Sequence, residues 1–297
     1  MIIDAHQHVF WHGHDDEALV RNMDEHGIDI SWLLTWEAWA DEINQDCYAQ
    51  AIDPRDDHAS LPLSGVVEAC RRYPDRFVPG YCPNPRDPHA SQRLEAAVGI
   101  FGIKICGEWK FQLPFDDPRC IALFWKAGEL NLPVTFHLDV PFLPASTSRK
   151  LEPYWYGGTV DNVERALQRC PGTIFLGHAP GFWRELYDDA DTNPEVYPAG
   201  RDNSEGRLWG LFDTYSNLWA DLSAGSALFA LSRNGDQGRR FIETYSERLL
   251  FGRDYFDGEM MALLKELGIS DEAFRRLTET NATRLLAGEA QGGKSKT

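Results

Sequence analysis

The first ten residues, MIIDAHQHVF, hold the chain's most chemically suggestive pattern: a short apolar run leading into Asp4, His6 and His8. In an extended strand successive side chains alternate faces, so His6 and His8 project to one side and can grip one ion. Neutral imidazole is a preferred ligand of zinc and other borderline metals. A lone His-x-His is as readily two ordinary histidines, so the reading depends on residues far downstream. PVTFHL carries His137, His178 follows TIFLG, and Asp254 follows LLFGR. Together they supply three imidazoles and a carboxylate, with a further imidazole close by. That donor set suits zinc first, with manganese or iron as alternatives.

Such residues act together only if strands bring them to one place. Strand-like runs begin at Met1, Ile30, Phe77, Gly102, Pro133, Thr173, Leu218 and Leu249, and helical stretches separate most of them. Asp15 to His26 is an acidic-started helix closed by Gly27, and Asp117-Pro118 opens another. Eight strands alternating with helices predict an α/β fold, a single-domain (β/α)8 TIM barrel. An open doubly wound sheet would carry a glycine-rich phosphate turn after an early strand, and none is present. In a barrel the functional groups sit at the C-terminal strand ends. His6, His8, His137, His178 and Asp254 all fall at such ends, on strands one, five, six and eight. The barrel is expected over residues 1–289, with 290–297 as a flexible polar tail. The acidic, aromatic stretch from Phe182 to Gly206 directly follows His178 and is expected to form a long loop over the pocket.

A formal charge of −17 over 297 residues argues against a nucleic-acid partner. No apolar run reaches the length of a membrane span, and the N-terminus enters a strand without a leader pattern. Six cysteines without a CxxC pair read as reduced thiols. A cytoplasmic protein acting on a small-molecule substrate is expected, as a monomer or a homodimer, with no membrane or nucleic-acid partner.

The segments DAHQH, PVTFH, LGHAPG and GRD, with the GIKI strand and the closing ETNATRLL helix, resemble the amidohydrolase superfamily. The likeness is to the amidohydrolase-related branch that includes aminocarboxymuconate-semialdehyde decarboxylase, and it covers nearly the whole chain. It implies one metal held by His6, His8, His137 and Asp254. It also implies His178 as a pocket histidine orienting water or polarising the substrate, and Asp254, touching both metal and water, is expected beside it as the catalytic proton carrier. Lys104 lies near the position where other branches carry a bridging modified lysine, and here it is expected instead as a substrate anchor. Trp36 and Trp109 follow strands two and four and could line the pocket, while Arg184 could clamp a carboxylate.

The expected reaction is water activation on a mononuclear divalent metal, attacking a small lactone, amide or ester. The same groups permit a non-oxidative decarboxylation of an aromatic or unsaturated acid. A catalytically silent ligand-binding barrel is the third possibility, and a complete ligand set counts against it.

Overall fold

A computed structural model describes residues 1–37, 39, 42, 61–141 and 155–289. Most of the polar stretch from Asp41 to Leu61 and the expected tail at 290–297 lie outside the described residues. The strands are β1 (Ile3–Gln7), β2 (Ile30–Leu33), β3 (Phe77–Pro79), β4 (Cys106–Trp109), β5 (Val134–His137), β6 (Phe175–His178), β7 (Leu218–Asp221) and β8 (Leu249–Leu250). Every paired strand runs parallel to its neighbour, in the orders β1-β2-β3 and β4-β5-β6-β7-β8.

Hydrogen bonds cross both seams between these sheets. Lys104 N donates to Pro79 O and Tyr81 N to Ile105 O, each at 2.9 Å, joining β3 to β4. At the other seam Ala5 N donates to Phe251 O and Asp254 N to His6 O, again at 2.9 Å. The strands therefore follow one another in a ring, as the alternation predicted.

The ring is filled by alternation. Ile3 and Ala5 of β1, Trp32 of β2, Leu176 of β6, Trp219 of β7 and Leu250 of β8 form one buried cluster with Leu34, just past β2, and Ile105, just before β4. A second, larger cluster, including Phe124, Phe136, Phe175 and Leu218, packs the outer strand faces against the helices. Trp109 belongs to this outer layer, against Phe111, Phe115 and Phe124.

Local sequence sets the helix ends. Asp15 accepts from Ala18 N to cap Asp16–His26, and Gly27 ends that helix at φ 66°, where a glycine pays no Cβ clash. Asp117 caps Pro118–Glu129 by accepting from Arg119 N, with Pro118 as first helical residue.

One buried ion pair locks the β1–β8 seam. Arg253 Nε donates to Asp4 Oδ2 at 2.7 Å, Arg253 N donates to Asp4 Oδ1 at 3.0 Å, and Arg253 Nη1 reaches Asn22 Oδ1 at 2.9 Å. Both charged side chains are almost wholly buried, so either alone would leave an uncompensated charge. Gly252 lets the strands approach this closely. A Cβ there would meet His6 Cβ at 3.1 Å and Ser223 Cβ at 3.2 Å.

The Phe182–Gly206 segment is partly helical, with Pro180–Trp183 continuing into a tight turn at Arg184–Leu186. It is tied to the helices after β7. Arg233 holds Asp189 through two bonds of 2.9 and 2.8 Å, and Asn234 and Gln237 bond Asp202 O and Ser204 O.

Within this segment burial pushes the Glu185 carboxyl up to about 7, with Asp191 and Asp161 adding to the rise and Arg207 and Arg184 opposing it. The folded state thus holds this proton more tightly than the unfolded chain, whose carboxyl titrates near 4.5. The resulting stabilisation is complete below that lower value and is lost as pH rises through about 7. Glu185→Gln should therefore raise the melting temperature at pH 8 while changing it little at pH 5. Thermal melts of both proteins across this range check it, and a parallel pH dependence in the two would refute the assignment.

Candidate metal centre

His6, His8, Glu108, His137, His178 and Asp254 converge at the C-terminal ends of β1, β4, β5, β6 and the turn after β8, all of them buried. Backbone pairing aligns two of them directly, since His137 and His178 are register partners across β5 and β6.

Hydrogen bonds decide which nitrogen each ring presents. His8 Nδ1 lies 2.9 Å from Leu34 O, a carbonyl that can only accept, so this nitrogen carries the proton. His6 Nδ1 lies 3.0 Å from Asp221 Oδ2 and donates to it. The hydroxyl of Ser223 donates its one proton to Asp221, so the His178 Nδ1 that lies 2.8 Å away donates to Ser223. All three rings therefore turn an Nε2 lone pair the same way. His6 Nε2 is buried with no hydrogen-bond partner among the described residues.

Two carboxylates face those nitrogens. Asp254 Oδ1 lies 3.4 Å from His8 Nε2 and 3.8 Å from His6 Nε2, while Asp254 Oδ2 lies 3.7 Å from His178 Nε2. Glu108 Oε2 lies 3.5 Å from His8 Nε2, and its Oε1 lies 4.0 Å from both His6 and His178 Nε2. Ligands at about 2.0–2.1 Å around a tetrahedral ion are roughly 3.4 Å apart, so His6, His8 and Asp254 are already spaced to share one. An orphaned buried nitrogen, two more aimed lone pairs and two carboxylates together fit a divalent cation. The ligand atoms of His6, His8 and Asp254 lie within 4.8 Å of one another, as do those of Glu108, His137 and His178.

Burial alone would raise both carboxyls. For Asp254 the adjacent His8, His6 and His178 side chains outweigh it and hold the group below the usual range. For Glu108 the charge of Lys110 and the bond to His137 do the same. Asp221 is likewise held low against burial by His6 and His178. These carboxylates are ionised at neutral pH.

The expected residues meet different fates. His6, His8, His178 and Asp254 come together. His137 joins them at one remove, because its Nδ1 lies 2.8 Å from Glu108 Oε1 and its Nε2 lies 3.3 Å from Asp139 Oδ1, so carboxylates engage both nitrogens. Trp36 sits near the site, its Nε1 donating to Lys110 O at 2.7 Å.

Three expected substrate contacts need correction. Lys104 is exposed and precedes β4, because the strand ends at Trp109 and not at Cys106. Trp109 points outward into the helix layer, since it alternates with the inward Glu108. Arg184 turns to its own loop, donating to Ala190 O at 2.6 Å and Asn193 O at 2.9 Å.

Sequence reasoning missed Glu108, Asp221 and Lys110. Asp221 was visible as the fourth residue of LWADL, a carboxylate at the end of an apolar strand, which is the same signal that marked Asp254.

No curated protein matches the chain by sequence. An uncharacterised TIM-barrel protein from Bordetella bronchiseptica is 16% identical, with 98% of this chain and 99% of that one covered at TM-score 0.63. A candidate 2-pyrone-4,6-dicarboxylic acid hydrolase from Pseudomonas putida is 15% identical over 97% and 98%, at TM-score 0.57. A dihydroxybenzoic acid decarboxylase from Polaromonas, with bound manganese and the inhibitor 2-nitroresorcinol, is 18% identical over 90% and 84%, at TM-score 0.53. At these identities the likeness establishes the TIM-barrel fold. A family model described as amidohydrolase matches residues 3–287, and the chain belongs to that family of enzymes.

Proposed function

We propose that this enzyme hydrolyses a small organic lactone, amide or ester at a single divalent metal. The observation that carries the reading is the convergence of the His6, His8 and His178 Nε2 atoms on Asp254 and Glu108, with His6 Nε2 unpartnered among the described residues. His6, His8 and Asp254 would hold the ion, Glu108 would close its coordination, and His137 would fix Glu108. Zinc is the first choice on this donor set, and manganese the alternative. When bound, the ion supplies Lewis-acid polarisation and lowers the pKa of a water to about 7.

The chain's own groups do the rest. Ionised Asp254 is placed to take a proton from the attacking water and pass it to the leaving group. Asp221 and Ser223 hold the His178 ring, so a proton arriving at its Nε2 makes it a donor toward the oxygen that gains charge.

Decarboxylation of an aromatic acid is the second reading. The Polaromonas decarboxylase and the second inward carboxylate, Glu108, favour it. In either case we place the enzyme in the cytoplasm. All five cysteines among the described residues are free thiols, and no helix among them is long and apolar enough to cross a membrane.

Elemental analysis of the purified protein should find close to one equivalent of metal, and the His6→Ala, His8→Ala double variant should lose it. A second equivalent would assign another ion to the Glu108, His137 and His178 group. Retention by the double variant would rule out the proposed ligands.

Lactones, amides, esters and aromatic acids should be screened for release of acid and of carbon dioxide, the latter deciding for the second reading. With an active substrate in hand, Asp254→Asn should lower turnover by roughly two to four orders of magnitude, the range of a lost general base. Near-normal turnover in that variant would exclude Asp254 as the proton carrier.

A further inference from the structure

The strand that carries His6 and His8 is irregular where they occur. Asp4 pairs with Ser31 but Gln7 with Leu33, so β1 has one residue more than β2 over this span, a bulge of the kind that re-aims side chains. Gln7 stands between the two histidines and is wholly buried.

Its side chain completes bonds on two strands. Oε1 accepts from His8 N at 3.0 Å, and Nε2 donates to Tyr255 O at 2.7 Å. The partners fix which amide atom is which, since a backbone N–H can only donate and a carbonyl can only accept. The Gln7 carbonyl also accepts from Leu34 N at 2.8 Å, and Leu34 O is the acceptor that orients the His8 ring.

The far end of this bridge is the turn that carries Asp254. That residue has φ 63°, in the left-handed region where an L side chain is strained, although aspartate tolerates it better than most. Its own N–H donates to His6 O at 2.9 Å, so β1 grips the turn twice, through the His6 carbonyl at Asp254 and through the Gln7 amide at Tyr255. Relaxation of the turn to negative φ would carry the Asp254 carboxylate away from His8 Nε2, which it faces at 3.4 Å.

We propose that Gln7 is a positioning residue for the metal centre, its one amide setting the spacing of His8 and Asp254 by bonding the backbone of both segments. This rests on the reading of the cluster as a metal centre. The role selects glutamine. Glutamate keeps the acceptor and loses the donor, methionine loses both, and asparagine is one methylene too short to span the two bonds. Removing the amide leaves the His8 N–H and the Tyr255 carbonyl unpaired.

Cobalt binding tests this without a substrate. Protein stripped with a chelator and dialysed is titrated with Co2+ alone. Visible absorption then reports affinity and coordination together, being strong for four-coordinate cobalt and weak for six-coordinate. Gln7→Met, or Gln7→Asn if the first variant fails to fold, should bind Co2+ about 10- to 100-fold more weakly and lose band intensity, as for other contacts that orient metal ligands. Gln237→Met is the control for a merely structural loss, because Gln237 is also buried and its Nε2 donates to Ser204 O at 2.7 Å, away from the centre. It should leave affinity and spectrum at the wild-type values. Unchanged cobalt binding in the Gln7 variants, or an equal loss in Gln237→Met, overturns the assignment. Wild-type protein that takes up no cobalt removes the metal-centre reading and the role of Gln7 with it, whereas normal uptake by every variant defeats the role of Gln7 alone.

Discussion

The Asp221 carboxylate, fully buried at the end of β7, is shared between His6 and His178, with His6 Nδ1 at 3.0 Å and His178 Nδ1 at 3.2 Å. Burying such a charge costs several kcal/mol unless donors surround it. Two imidazoles and the Ser223 hydroxyl surround it here. In return it fixes which face of each ring looks into the cavity. Without that constraint either imidazole could turn over, and the lone pairs on strands one and six would no longer share a target. Outer partners of this kind set both the tautomer and the basicity of a metal-binding histidine.

The barrel separates packing from chemistry along each strand. On β6, Leu176 faces the apolar interior and His178, two residues on, faces the site. On β7 the same step leads from Trp219 to Asp221, and on β1 the pairing irregularity between Asp4 and Gln7 accompanies the change from Ala5 to His6. Packing below can thus be optimised without moving the ligands above it, and loops above can vary without opening the core.

Much of this was legible because apolar runs and their terminal residues are local features. The strand–helix alternation, the Asp15 and Asp117 caps, and His6, His8, His178 and Asp254 all follow from short segments. Strand four was misread because GIKIC is the more hydrophobic run, whereas the pairing continues through Cys106–Trp109. That displacement exchanged Glu108 for Lys104 and gave Trp109 an inward role it does not have. Arg184 failed for another reason: its partners are loop carbonyls, which a sequence does not display. Lys110 could not have been singled out, because its surroundings come from the segments after β2 and after β5.

The Asp4–Arg253 pair joins positions 249 residues apart. A chain emerging from the ribosome therefore displays its first two imidazoles long before the strands that complete their surroundings exist. During that interval His6 and His8 form a bare chelating pair with neither Asp221 nor Asp254 beside it. On the proposed ligand set, selective capture of an ion would await ring closure, when the last strand docks against the first. Loading would then be a late event in maturation, and the affinity of the ion would contribute to holding the two ends of the barrel together.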